Sequence, residues 1–273
     1  MAAYDVLGNI AIVKFRRGVK SKEKKKYAAE FLQTHKGVRT VLEKSDRFKG
    51  RLRTLSTKFI AGEKTKEALY KENGCVFRLN VESCYFSPRL SSERAEVASM
   101  IKKGEKVLVM FGGVAPFAIV IARTGRAGRI VSMELGRDCC KYALQNVKLN
   151  KVKVEIVQGD VRRVLQTPLS TVNKISGVRK KMHGMGKKVF DRIVMARPNL
   201  KDSFLDVSFP YVKKGGIIHY YGFYLETEKD KMIEMIMNQA KKAKRKIKIL
   251  GVKKAGDIGV KKYRYRVDLK VLN

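Results

Sequence analysis

The sequence predicts an α/β protein: a mostly parallel sheet covered by helices on both faces over residues 81–273, preceded by a small basic α+β domain over residues 1–80. Three observations predict it. Apolar runs of strand length alternate with helical segments along the last two thirds of the chain, whereas residues 1–80 hold short β-like runs around one helical segment. One apolar run, Lys106-Val107-Leu108-Val109-Met110, breaks into a glycine turn, Phe111-Gly112-Gly113-Val114-Ala115-Pro116-Phe117. An acid, Glu134, closes the next apolar run about twenty residues later.

In the small domain Ile10–Val13, Val38–Leu42 and Cys75–Leu79 read as strands, and Glu23–Thr34 reads as a helix with Ser21 as its N-cap. The larger domain then reads as a helix near Ser92–Lys102, a strand over 107–111, a helix over 116–123, a strand over 129–133, a helix over 138–149 and a strand over 153–157. The series continues with a strand Arg192–Met195, a helix over 202–213, a strand Gly216–Tyr221, a helix over 227–243 and a closing strand over 263–271. This alternation puts a ligand at the carboxyl ends of the strands.

Lys and Arg number 61 against 25 acids, a formal net charge of +36 on 273 residues, and the excess runs through the whole chain. In residues 1–80 alone there are 20 basic residues against 8 acids. Charge of this size draws polyanions from a distance, so nucleic acid is the leading partner. No apolar run approaches the roughly eighteen residues that a membrane helix needs, and the Met-Ala-Ala-Tyr-Asp start lacks the layout of a secretory signal; a cytoplasmic protein is expected. Cys75, Cys84, Cys139 and Cys140 lack metal-ligand spacing, so no metal is expected. His35, His183 and His219 form no triad-like arrangement, and His219, inside an apolar strand, reads as a buried structural residue.

The candidate site is built from strand ends. Glycines after the 107–111 strand let the backbone approach a ligand closely, and Glu134 can accept both hydroxyls of a ribose. Gln158-Gly159-Asp160-Val161 follows the next strand, where an acid can accept from an adenine amino group while Val161 packs on the ring. The ordered trio of Gly, Glu and Asp predicts an adenosyl cofactor. No Gly-x-x-x-x-Gly-Lys-Ser/Thr run is present, which argues against a phosphate-cradling NTPase. Residues Val172–Lys188 hold six Lys/Arg, three glycines and no acid, and read as a basic loop near the ligand edge whose Arg179, Lys180, Lys181, Lys187 and Lys188 can hold phosphates.

The runs Tyr85-Phe86-Ser87-Pro88-Arg89-Leu90-Ser91-Ser92-Glu93-Arg94, Met110–Phe117, Gln145-Asn146-Val147-Lys148-Leu149-Asn150-Lys151-Val152 and Gly215–Tyr221 resemble the archaeal and eukaryotic tRNA (guanine-37-N1)-methyltransferases. The resemblance extends from Tyr4-Asp5-Val6-Leu7-Gly8-Asn9 through nearly the whole chain. That family also holds the wybutosine-pathway enzymes, which move an aminocarboxypropyl group from the same cofactor.

The resemblance implies a class I S-adenosylmethionine-dependent methyltransferase domain, Rossmann-like, behind the small α+β domain. It implies S-adenosylmethionine as cofactor, held by Phe111, Gly113, Val114, Glu134, Leu135, Asp160 and Val161. The implied partner is the anticodon stem-loop of tRNA, and a monomer is expected. Arg89 is implied at the target base, where a guanidinium can stabilise charge on the carbonyl oxygen next to the ring nitrogen that loses its proton.

The chain departs from the family pattern in three places. Ala115 stands where a glycine is usual, Val109 where an acid is common, and Ala196 where an asparagine precedes the x-Pro of Met195-Ala196-Arg197-Pro198-Asn199-Leu200. Asn199 or Arg197 is then the candidate for holding the base. Aminocarboxypropyl transfer, or RNA binding without catalysis, are the alternatives.

Overall fold

The computed structural model describes residues 2–45, 50–166, 189–196 and 202–273. The small domain opens with strands β1 (Ala3–Leu7) and β2 (Ile10–Lys14), crosses over through helix α1 (Ser21–Thr34), and returns in β3 (Thr40–Lys44) and β4 (Thr57–Gly62). The sheet order is β1-β2-β3-β4, with β2 and β3 parallel and the outer pairs antiparallel. Helix α1 buries Ala28 and Phe31 on Ala11, Val13 and Val41; Lys22, Lys25 and Lys26 face outward, while Lys24 turns back to Glu43 of β3 at 2.6 Å. Ser21 is the first helical residue rather than the N-cap; Lys20 precedes it in extended conformation, and no side chain caps the helix.

A hairpin follows, β5 (Glu67–Glu72) and β6 (Cys75–Asn80), closed by Asn73-Gly74 with both residues at positive φ, the turn whose twist matches the strands. Its far edge is sealed by side chains. Asn146 and Asn150, one turn apart on helix α4 (Arg137–Leu149) and just beyond it, bond the backbone N–H and C=O of Arg78 and Val76 at 2.7–3.1 Å. Asn146 also donates to the carbonyl of Val114 in the glycine turn at 3.2 Å. The hairpin thereby bridges the small sheet and the larger domain.

The larger domain comprises α2 (Ser91–Ser99), β7 (Lys106–Met110), α3 (Pro116–Arg123), β8 (Arg129–Glu134), α4, β9 (Glu155–Gln158), α5 (Val161–Gln166), β10 (Phe190–Met195), α6 (Leu205–Ser208), β11 (Val212–Leu225), α7 (Lys229–Lys242), β12 (Ile247–Gly259) and β13 (Lys262–Val271). The sheet order is β12-β13-β11-β10-β7-β8-β9. Only β13 runs against its neighbours, β11 and β12. The chain steps outward from β7 to β9, then jumps back across β7 to β10, so the crevice lies at the carboxyl ends of β7 and β10.

One apolar core, with Leu108, Met133, Phe190 and Phe209, fills one face of the sheet under α5 to α7. On the other face Val107 and Val109 share a core with Phe117 and Ile119 of α3, Val97 of α2 and Phe77 of the hairpin. The helix expected over 202–213 is confined to Leu205–Ser208: Phe204 sits at φ 58°, Pro210 lacks the N–H that a helix would use, and Val212 already enters β11.

A buried polar ladder ties the sheet together. Arg192 meets Glu105 at 2.8 and 3.0 Å and donates to Nε2 of His219 at 2.8 Å, and His219 Nδ1 lies 2.6 Å from Asp268. Arg266 pairs with Asp268, Glu93 and Glu96, and the Tyr221 hydroxyl donates to Glu93 at 2.6 Å. Because a guanidinium only donates, Nε2 of His219 is the acceptor and Nδ1 carries the proton. Burial holds the His219 pKa below its ordinary value, so the ring is neutral and structural.

Candidate functional site

A cleft open to solvent lies where β7, β8, β9 and β10 end. The first half is built from the expected strand ends, for Phe111, Gly113, Glu134, Leu135, Asp160 and Val161 all line it. Phe111, Gly113 and Ala115 adopt left-handed backbone at φ 61°, 56° and 67°, which folds the turn tightly between β7 and α3. A side chain at Gly112 would strike the Ser132 hydroxyl at 2.1 Å, whereas Gly113 faces open space with nothing nearer than the Tyr85 carbonyl at 3.8 Å. A ligand can therefore approach the backbone at Gly113.

Ala115 is buried in the core with its methyl packed, so replacing the usual glycine strains the backbone at φ 67° and leaves the cleft unobstructed. Val114 also differs from expectation, because its side chain is buried among Leu7, Cys84 and Cys139 and does not line the cleft.

Glu134 accepts the N–H of Gly113 at 2.8 Å and of Gly136 at 2.7 Å. Burial raises its carboxyl pKa while these amides pull it down. Asp160 caps the start of α5, accepting the N–H of Arg162 at 2.9 Å, and its second oxygen takes Arg51 at 2.6 Å. Arg51 and the amides hold the Asp160 carboxyl below its ordinary value.

Arg51, Leu52 and Arg53 come from the small domain and roof the cleft, with Arg53 lying over the Tyr85 ring at 4.1 Å. Phe204 closes one wall, edge-on to Phe111 at 4.9 Å, and Arg162 lies over its other side while pairing with Asp202 and Asp206. The second half of the cleft is lined by Leu90, Phe117, Ala196, Tyr221, Phe223 and Arg264. The roof residues, Phe223 and Arg264 carry no local sequence signal, and only folding gathers them; Leu90, Phe117, Ala196 and Tyr221 fall in or beside the runs that carry the family resemblance.

Arg89 stands on the exposed rim, 2.7 Å from Asp5 of β1, and does not line the cleft. Its neighbour Leu90 points inward instead. The segment is anchored from behind by Arg94, buried against Glu72, bonded to the Ser87 carbonyl at 3.1 Å and 4.9 Å from the Phe86 ring. Arg197, Asn199, Arg179, Lys180, Lys181, Lys187 and Lys188 lie outside the described residues. Val189 and Phe190, which follow the basic segment, stand at the amino end of β10. Among the described residues no group of three His, Cys, Asp or Glu side chains could hold a metal ion, and no helix is long and apolar enough to cross a membrane.

The donor set suits a nucleoside: an open glycine backbone, a carboxylate at each of two successive strand ends, and apolar Leu135 and Val161 to flank a ring. Comparison with known proteins agrees. Residues 1–65 match the model of the TYW2 N-terminal domain, and residues 68–183 and 169–250 match that of the TRM5/TYW2 methyltransferase domain. The chain is 33% identical to the tRNA (guanine(37)-N(1))/4-demethylwyosine(37)-methyltransferase Taw22 of Nanoarchaeum equitans, over 98% of this chain and 99% of that protein.

Among solved structures, Trm5b from Pyrococcus abyssi superposes with a TM-score of 0.82 at 32% identity, covering 99% of this chain and 75% of that one. A complex of aTrm5 with tRNALeu superposes with a TM-score of 0.78 at 25% identity, covering 99% and 72%. With matches of this extent over both of its parts, the chain belongs to the TRM5/TYW2 methyltransferase family.

Proposed function

We propose that the protein is an S-adenosylmethionine-dependent tRNA methyltransferase that methylates N1 of guanine 37 in the anticodon loop. The observation that carries this reading is one cleft with two adjoining seats. The Gly113, Glu134 and Asp160 strand ends suit a nucleoside cofactor, and beside them Phe117, Tyr221 and Phe223 offer aromatic walls to a base drawn out of its stack. The Nanoarchaeum equitans relative, whose name assigns it both guanine-37 and 4-demethylwyosine methylation, spans nearly the same length.

S-adenosylmethionine supplies an electrophilic methyl group when bound. Glu134 would hold its ribose, Asp160 its adenine, and Phe111, Leu135 and Val161 its apolar faces, with Gly113 and the backbone of Val114 close behind. The chain's remaining task is to seat the base and to neutralise charge on its carbonyl oxygen as the ring nitrogen loses its proton. Arg89 is suited to that oxygen, because its pair with Asp5 is exposed and worth at most about 1 kcal/mol, so exchanging Asp5 for RNA costs little. Arg197 and Asn199, which follow the cleft-lining Ala196 in the chain, would hold the base from the other side.

RNA phosphates would fall to Arg179, Lys180, Lys181, Lys187 and Lys188 and to the basic face of residues 1–80, with residues 81–273 performing catalysis. Action as a monomer in the cytoplasm completes this reading.

The match of residues 1–65 to the TYW2 N-terminal domain favours a second reading, transfer of the aminocarboxypropyl group in the same cleft. Incubation with unmodified tRNA transcripts and labelled S-adenosylmethionine, followed by mass spectrometry of the nucleosides, separates the two. A methylguanine that disappears when guanine 37 is replaced supports the main reading. An aminocarboxypropyl adduct supports the second, and tight cofactor binding without product on any tRNA refutes both.

A further inference from the structure

Three cross-strand rows climb one face of β12, β13 and β11 toward the cleft. The lowest row is Gly251, Asp268 and His219, and the middle one is Lys253, Arg266 and Tyr221. Every charge in these two rows is matched: Asp268 by His219 and Arg266, Arg266 by Glu93 and Glu96, Lys253 by Glu93 and Glu96. The top row, at the cleft, is Gly256, Arg264 and Phe223. Among the described residues no carboxylate pairs with Arg264; its guanidinium rests 5.1 Å from the centre of the Phe223 ring and touches nothing acidic.

The strand is shaped to leave that group accessible. A bulge between Lys254 and Gly256 bends β12, and Gly256 sits at φ +147°, a conformation that L side chains rarely adopt. The Cβ that Gly256 lacks would lie 3.9 Å from Nη1 of Arg264, so the guanidinium has a ring on one flank and an open glycine on the other. A guanidinium backed by a ring keeps its in-plane N–H donors for an anionic oxygen. β13 lies four strand spacings from β8, roughly 19 Å, which puts Arg264 on the side of the cleft away from Glu134.

The geometry points to Arg264, backed by Phe223, as the clamp for a backbone phosphate of the target nucleotide. This deepens the proposed function and rests on it. The row that the chain leaves without an acid is completed by the RNA itself, and the phosphate is fixed while the base turns into the aromatic half of the cleft.

Binding of an anticodon stem-loop RNA, measured over a series of KCl concentrations for the wild type, Arg264→Ala and Arg264→Lys, tests this. Arg264→Ala should weaken RNA binding about tenfold and make the slope of log Kd against log salt shallower by about 0.7, the share of one phosphate on a single strand. Arg264→Lys should keep the slope and recover part of the affinity, because charge is retained and the planar fork is lost. Binding of S-adenosylhomocysteine should be unchanged in both, which also reports an intact fold. An unchanged slope in Arg264→Ala overturns the proposal. So does a loss of S-adenosylhomocysteine affinity with the RNA slope intact, which would place a cofactor carboxylate on Arg264. A wild-type enzyme that binds the stem-loop but modifies no tRNA would count against the proposed function, while the salt slope still decides the role of Arg264.

Discussion

Replacing Asn146 by alanine removes three hydrogen bonds from a site with no access to water. The amide accepts the N–H of Arg78 at 2.8 Å, donates to the Arg78 carbonyl at 3.1 Å and donates to the Val114 carbonyl at 3.2 Å, and the residue is fully buried. At about 1 kcal/mol net for each bond, the substitution should cost about 3 kcal/mol, which for a chain of this size lowers the melting temperature by about 5 °C. The same change unties the hairpin from the glycine turn, so S-adenosylmethionine affinity should fall as well. Urea unfolding followed by circular dichroism measures the first effect and titration calorimetry the second. Asn146→Asp sharpens the test: its carboxylate can still accept from Arg78 but opposes two carbonyl oxygens, so it should destabilise at least as much as alanine. A loss below about 1 kcal/mol in Asn146→Ala, or an Asp variant as stable as wild type, would refute the view that this side chain substitutes for a neighbouring strand.

Glu72→Ala leaves the buried Arg94 without its partner and should destabilise by about 3–5 kcal/mol, whereas the paired replacement Glu72→Leu with Arg94→Met should come close to wild type in the same urea assay. His219 is held neutral below its ordinary pKa of 6.5, so the unfolded chain binds a proton that the folded one does not; stability should decline as pH falls below about 6.5, by up to about 1.4 kcal/mol per unit, and His219→Gln should flatten the melting profile there. Glu134→Gln should weaken S-adenosylmethionine binding about tenfold by calorimetry. Because burial raises the Glu134 pKa, wild-type affinity should decline on acidification already above the ordinary carboxylate value of 4.5, and the Gln variant should lose that dependence.

The parts of the site that lie in chain order were legible. Gly113, Glu134 and Asp160 each follow an apolar run of strand length, and the parallel sheet turns such an order into neighbours. Strand β12 was not legible, because three bulges break its alternation and lysines fill its exposed edge. The helix expected over 202–213 failed on Pro210 and on the left-handed Phe204, local details that apolar spacing does not register.

Arg51, Leu52, Arg53, Phe223 and Arg264 reach the cleft from opposite ends of the chain, and no periodicity links them. Arg89 shows a different limit. Its position beside the cleft was readable, but whether the side chain turns inward or out to Asp5 depends on β1, more than eighty residues earlier.

The roof that Arg51 and Leu52 set over the cleft makes the cofactor a cross-link between two folding units. A molecule held between the strand ends of one unit and a loop of the other stabilises both by mass action, in proportion to the logarithm of its concentration over its dissociation constant. A change in that loop would alter the affinity of whatever binds beneath it, and a ligand that leaves would release its hold on the small domain. Exchange of the small domain between relatives is therefore constrained by a ligand that the small domain has no chemical need to touch.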